Sequence, residues 1–145
     1  MRLLCGLGLR AARRPVSADW VGRALPTKLG RVNDAPLGPE DQKIISLARS
    51  ARARIGSVEG AAVRDETGRT YAAATVALPS LRLSALALAV GMAVSSGADS
   101  LEAAALVTDA DKPTDSDIAV VRDLGAGAVI ILAGRNGAVR EMLHP

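Results

Sequence analysis

Hydrophobic and polar positions fall into order only from Pro39 onward. Pro39 suits a first helical turn, Glu40 and Asp41 suit the positive end of its dipole, and Ile44, Ile45, Leu47, Ala48 and Ala51 share one apolar face. Gly56 stops this helix after Arg49, Arg52 and Arg54, which read as a solvated, dipole-matched face. Two strands follow, about Val58 to Arg64 and Arg69 to Val76, joined by the hairpin turn Asp65-Glu66-Thr67-Gly68. Leu81 to Val94 is apolar apart from Arg82 and Ser84, which predicts a buried helix capped by Ser80 and ended by Gly97.

Ala103 to Val107 reads as a short buried strand, and the polar stretch Asp109 to Pro113 leads into a helix from Asp115 to Leu124 that Gly125 closes. Val129 to Ala133 is a second buried strand, and Arg135-Asn136-Gly137 turns the chain into a last strand, Ala138 to Leu143. The order α-β-β-α-β-α-β-β predicts a three-layer α/β/α domain around a mixed five-stranded sheet, spanning residues 39–145. Residues 1–38 have no sustained period, are punctuated by Pro15, Pro26 and Pro36, and read as a basic, flexible N-terminal tail. Upstream sequence translated from a misassigned start codon is a competing reading of residues 1–31.

Composition changes this picture in two ways. With 49% hydrophobic residues but only Trp20 and Tyr71 as aromatics, the core must be filled by Ala, Val, Leu and Ile. Small side chains bring elements close together and leave apolar faces for other subunits to cover, so a homo-oligomer, dimer or tetramer, is expected. The net charge of +3 is unevenly spread. Residues 1–38 hold seven basic groups against Asp19 and Asp34, a net of +5, and leave 11 basic against 13 acidic groups in the rest. Binding of RNA or another acidic partner is therefore expected only through the N-terminal arginines, Arg2, Arg10, Arg13, Arg14, Arg23 and Arg31. A single cysteine needs no oxidising compartment, Leu3 to Leu9 is too short for a signal core, and no apolar run is long enough to span a membrane. These features point to a cytoplasmic protein without a membrane partner.

The inventory of reactive side chains is short. Cys5 and His144 are the sole cysteine and histidine, each near one end of the chain, so no catalytic zinc of the Cys/His kind, no nucleophilic triad and no cofactor is expected. Asp109, Asp111, Asp115 and Asp117 form the one acidic cluster. A hard cation is one reading, which would make Asp115 or Asp117 part of a repurposed metal-free or hard-cation enzyme. The other is a capping box, with Thr114 at the cap and Asp117 reaching back.

Several strings, in this order, resemble the cytidine deaminase family from about Gln42 to Leu143. They are Ala61-Ala62-Val63 with Gly68-Arg69-Thr70-Tyr71, the helix end Ala93-Val94-Ser95-Ser96-Gly97, the strand Leu106-Val107-Thr108-Asp109, and Gly137-Ala138-Val139-Arg140-Glu141-Met142-Leu143. Zinc-dependent deaminases of that type carry His or Cys, then Ala, then Glu at the start of the central helix, and P-C-x-x-C at the start of the next. Counted back from Gly97, the resemblance lays the first motif over Ser84-Ala85-Leu86 and the second over Pro113-Thr114-Asp115-Ser116-Asp117. It implies that Ser84, Thr114 and Asp117 replace the three metal ligands and Leu86 the proton-carrying Glu. The family's ribose-binding Asn-Val-Glu falls on Thr75-Val76-Ala77, so Thr75 and Ala77 replace its substrate contacts. The resemblance thus implies a deaminase-like protein that is catalytically inactive, holds no metal and serves a scaffold or regulatory role.

Overall fold

A computed structural model describes residues 37–145. The expectations for the N-terminal tail, its arginines and Cys5 lie outside the described residues, apart from Leu37 and Gly38. Helix α1 (Pro39–Ile55) leads into strands β1 (Gly60–Asp65) and β2 (Thr70–Ala74), then a short pair, β3 (Val76–Leu78) and β4 (Leu81–Leu83). Helix α2 (Ala85–Ser95), strand β5 (Leu101–Val107), helix α3 (Asp115–Leu124) and strands β6 (Val129–Ala133) and β7 (Val139–Leu143) complete the domain. The main sheet has the order β2-β1-β5-β6-β7, antiparallel throughout except for the parallel β5–β6 pair. That parallel pair is the one joined by a helical crossover, α3, as parallel pairing requires.

Alternation along the central strands sorts their side chains onto two cores. Ala62, Ala103, Ala105, Val107, Ile131 and Ala133 face Ile44, Ile45 and Ala48 of α1. Their neighbours Ala61, Val63, Ala104, Leu106, Ile130 and Leu132 face α2 and α3 through Leu86, Ala89, Val90, Ala93 and Val121. The three-layer α/β/α arrangement with a mixed five-stranded sheet is therefore as expected. Arg64 fastens one edge of the α1 layer, donating to Asp41 of α1 and to Glu102 of β5 at 3.0 Å each. Burial works against its charge, yet the two carboxylates outweigh burial and hold its pKa above the ordinary arginine value.

The structure corrects the sequence reading in the segment before α2. Leu81–Leu83 is not helical; it pairs with Val76–Leu78 in a separate two-stranded sheet, and the long strand expected to reach Val76 stops at Ala74. The Leu-Arg-Leu alternation has the period of a strand, and Pro79-Ser80 supplies the two-residue turn between Leu78 and Leu81. The helix starts after Ser84, whose hydroxyl accepts the Ala87 N–H at 3.1 Å, so the cap is Ser84 and not Ser80. The helix is buried on one face only: Met92 and Val94 remain exposed on the single chain. Two of the α1 arginines also do more than meet solvent, since Arg49 donates to the Arg135 carbonyl and Arg52 to that of Val58.

Candidate functional site

Two helix starts, those of α2 and α3, converge on one small polar cluster. The loop from β5 into α3 is set from three directions. Thr108, 3% exposed, donates its hydroxyl to Glu59 Oε1 at 3.0 Å and accepts the Ala110 N–H at 3.1 Å. Arg140 of β7 donates one guanidinium nitrogen to the carbonyls of Thr108 and Ala110. Asp109 is held in an ion pair with Arg135. Pro113 is buried at the end of this loop and delivers Thr114 to the N-cap of α3, where its hydroxyl accepts the Asp117 N–H at 3.2 Å.

Asp117 is where the capping-box expectation is half right. Its backbone is capped by Thr114, but its carboxylate is turned inward to Ser84, whose hydroxyl donates to Oδ1 at 2.5 Å. Asp117 is 2% exposed, so this carboxylate belongs to the interior. Ser84 thus serves both helices at once, accepting from Ala87 N–H at the start of α2 and donating to the third residue of α3. Thr114 Oγ1 also lies 3.0 Å from Ser116 Oγ. Leu86, the second residue of α2, is fully buried, with its side chain in the hydrocarbon core shared by α2, α3 and the sheet.

The remaining predicted positions do not join this cluster. Ala77 is exposed on β3, opposite Arg82. Thr75 stands at the break between β2 and β3, its N–H reaching the Glu59 carbonyl at 3.4 Å and its hydroxyl oxygen buried without a partner. Asp109, Asp111 and Asp115 are exposed, and among the described residues no three His, Cys, Asp or Glu side chains are grouped so as to hold a metal ion. His144 is exposed after β7.

Sequence reasoning missed the residues that hold this corner in place, Glu59 and Arg140. Their partners are 49 and 32 residues away along the chain, and nothing local marks them. Chemically the cluster pairs one hydroxyl with one carboxylate. It has no histidine to move a proton onward and only hydrocarbon at Leu86.

Three solved structures share this architecture. Cytidine deaminase from Burkholderia pseudomallei is 23% identical, with 70% of this chain and 90% of that one covered and a TM-score of 0.62. Cytidine deaminase from Mycobacterium leprae is 21% identical, with 68% and 89% covered and a TM-score of 0.54. The Mycobacterium tuberculosis enzyme is 24% identical, with 61% and 80% covered and a TM-score of 0.53. At these identities the likeness is one of fold. No curated protein matches the chain in sequence. The family described as cytidine deaminase-like matches residues 37–137, from the start of the described chain to the turn before β7. That match and the shared fold place this chain in the cytidine deaminase-like family.

Proposed function

We propose that this protein is a non-catalytic member of its family, a deaminase-like scaffold or regulatory subunit in place of a nucleoside deaminase. The observation that carries the reading is the Ser84–Asp117 hydrogen bond across the two helix starts. Zinc deaminases use those helix starts for a His or Cys and two Cys ligands, with a Glu that shuttles protons to and from a metal-activated water. The residues here do not fit that ion. Ser84 and Thr114 offer neutral hydroxyls already engaged with Ala87, Asp117 and Ser116, and a single carboxylate remains, itself bonded to Ser84. Leu86, at the position that the resemblance gives to the proton carrier, has no proton to move and fills the core with its side chain. Purified full-length protein is expected to carry no zinc and to leave cytidine unchanged; stoichiometric zinc with turnover would end this reading.

A scaffold role is supported by the outer face of α2. The eleven residues Ala85–Ser95 include no charged group, and Gly91, Met92 and Val94 are exposed on the face turned away from the core. A β-carbon built on Gly91 would meet nothing within 4 Å, so a second copy has room to approach the helix backbone there. We take the covering partner to be a second copy of this chain, in keeping with the charge-free, self-complementary character of the helix. Met92→Arg is expected to shift the protein from oligomer to monomer in light scattering. A monomeric wild type would remove the support.

A further inference from the structure

We propose that Asp117 is an internal counter-ion that ties α2 to α3, so that this corner of the domain is held by the chain's own carboxylate and needs no bound ion. The inference rests on the non-catalytic reading of the same site and gives the replaced residues a task.

Three observations carry it. First, the carboxylate is placed between two helix N-termini: it belongs to the third residue of α3 and accepts the hydroxyl that caps α2. Each helix start brings roughly half a positive charge, so one carboxylate about balances the two together. Second, Asp117 is 2% exposed, and an ionised carboxylate persists in such a place only when it is hydrogen-bonded and charge-compensated. Third, Ser84 is committed at both ends of its hydroxyl, accepting from Ala87 N–H and donating to Asp117, so the two helix starts share one continuous chain of hydrogen bonds. The chain runs on from Asp117 N–H to Thr114 and from Thr114 to Ser116. A shared network of this kind is lost as a unit when either end is removed.

The test is a double-mutant cycle on the full chain, read by thermal unfolding. Ser84→Ala and Asp117→Ala are each expected to lower the midpoint by about 5 °C or more. The double variant is expected to fall no further than the worse single, because both remove the same tie. Should Asp117→Ala fail to fold, Asp117→Asn keeps the shape of the side chain and closes the same cycle. A chelator is expected to leave the wild-type midpoint unchanged. Additive losses, or a midpoint that falls with chelator, would overturn the tie. Cytidine turnover is scored separately: turnover alongside non-additive losses would overturn the non-catalytic reading and leave the tie standing.

Discussion

Gly60→Ala is expected to be the most damaging single methyl that this domain can receive, lowering stability by about 3 kcal/mol or more. A β-carbon at Gly60 would lie 2.1 Å from the Ala48 carbonyl oxygen and 2.9 Å from the Arg52 backbone nitrogen. Those are backbone atoms of α1, and no side-chain rotation can move them away. The helix would have to lift off the sheet at the start of β1, opening the core formed by Ile44, Ile45 and Ala48 over Ala62, Ala105 and Val107. Small core residues leave no long side chains to fill the gap that results. Gly127→Ala is the matched control, since a β-carbon there would meet nothing within 4 Å, and it is expected to change stability by less than about 0.5 kcal/mol. Chemical denaturation of both variants checks the pair.

Removing the Asp65 carboxylate is expected to have the next largest effect. Asp65 is 1% exposed, and its Oδ1 accepts from the Thr67 N–H, the Thr67 hydroxyl and the Arg69 N–H at 2.9, 2.7 and 2.9 Å. Its Oδ2 accepts the Tyr71 hydroxyl at 3.0 Å. Asp65→Ala removes the shared acceptor of all four donors and unpins the β1–β2 turn, and the melting temperature is expected to fall by on the order of 10 °C. Burial pushes the Asp65 carboxyl upward, but the bonds from the Thr67 hydroxyl, Arg69, Tyr71 and the Thr67 N–H together hold it below the ordinary carboxylate range. Glu66 is held low as well, by the backbone N–H groups of Ser100 and Asp99. A carboxyl whose folded pKa lies below its unfolded one binds protons more weakly when folded. Its stabilisation is complete above the unfolded value near about 4 and is lost as pH falls through the folded one. Wild type is therefore expected to weaken as pH drops below about 4, and Asp65→Ala to lose part of that dependence. Melting curves from neutral to acid pH test this, and equal acid sensitivity in the variant would contradict it.

Much of the fold is legible in the residues because the periods are clean. Ile44, Ile45, Ala48 and Ala51 repeat as a helix does, and Pro39 in its first turn and Gly56 at its C-cap bound it. The apolar runs at β5 and β6 are buried on both faces, and the helix between them requires a parallel crossover. The stretch from Leu81 to Ser84 reads as helix because a three-residue Leu-Arg-Leu strand is too short to set its period apart from the apolar helix that follows it. Ser84 itself is a good cap, yet Ser80 is one as well, and only the Ser84–Asp117 contact across 33 residues separates them. The same blindness hid the inward turn of Asp117. A carboxylate three residues after a threonine fits a local capping box, and its choice of a partner from another helix depends on tertiary packing. Glu59, Arg140 and Thr108 are legible only in three dimensions, for the same reason.

This deaminase-like domain holds a hydrogen-bonded serine–aspartate pair across two helix starts, which we propose stands where related enzymes hold zinc. Metal analysis of the purified full-length protein, after incubation with zinc and removal of the excess, tests it most directly. Far less than one zinc per chain and an unchanged melting temperature with added zinc are expected. One zinc per chain, lost on substituting Asp117, would contradict this.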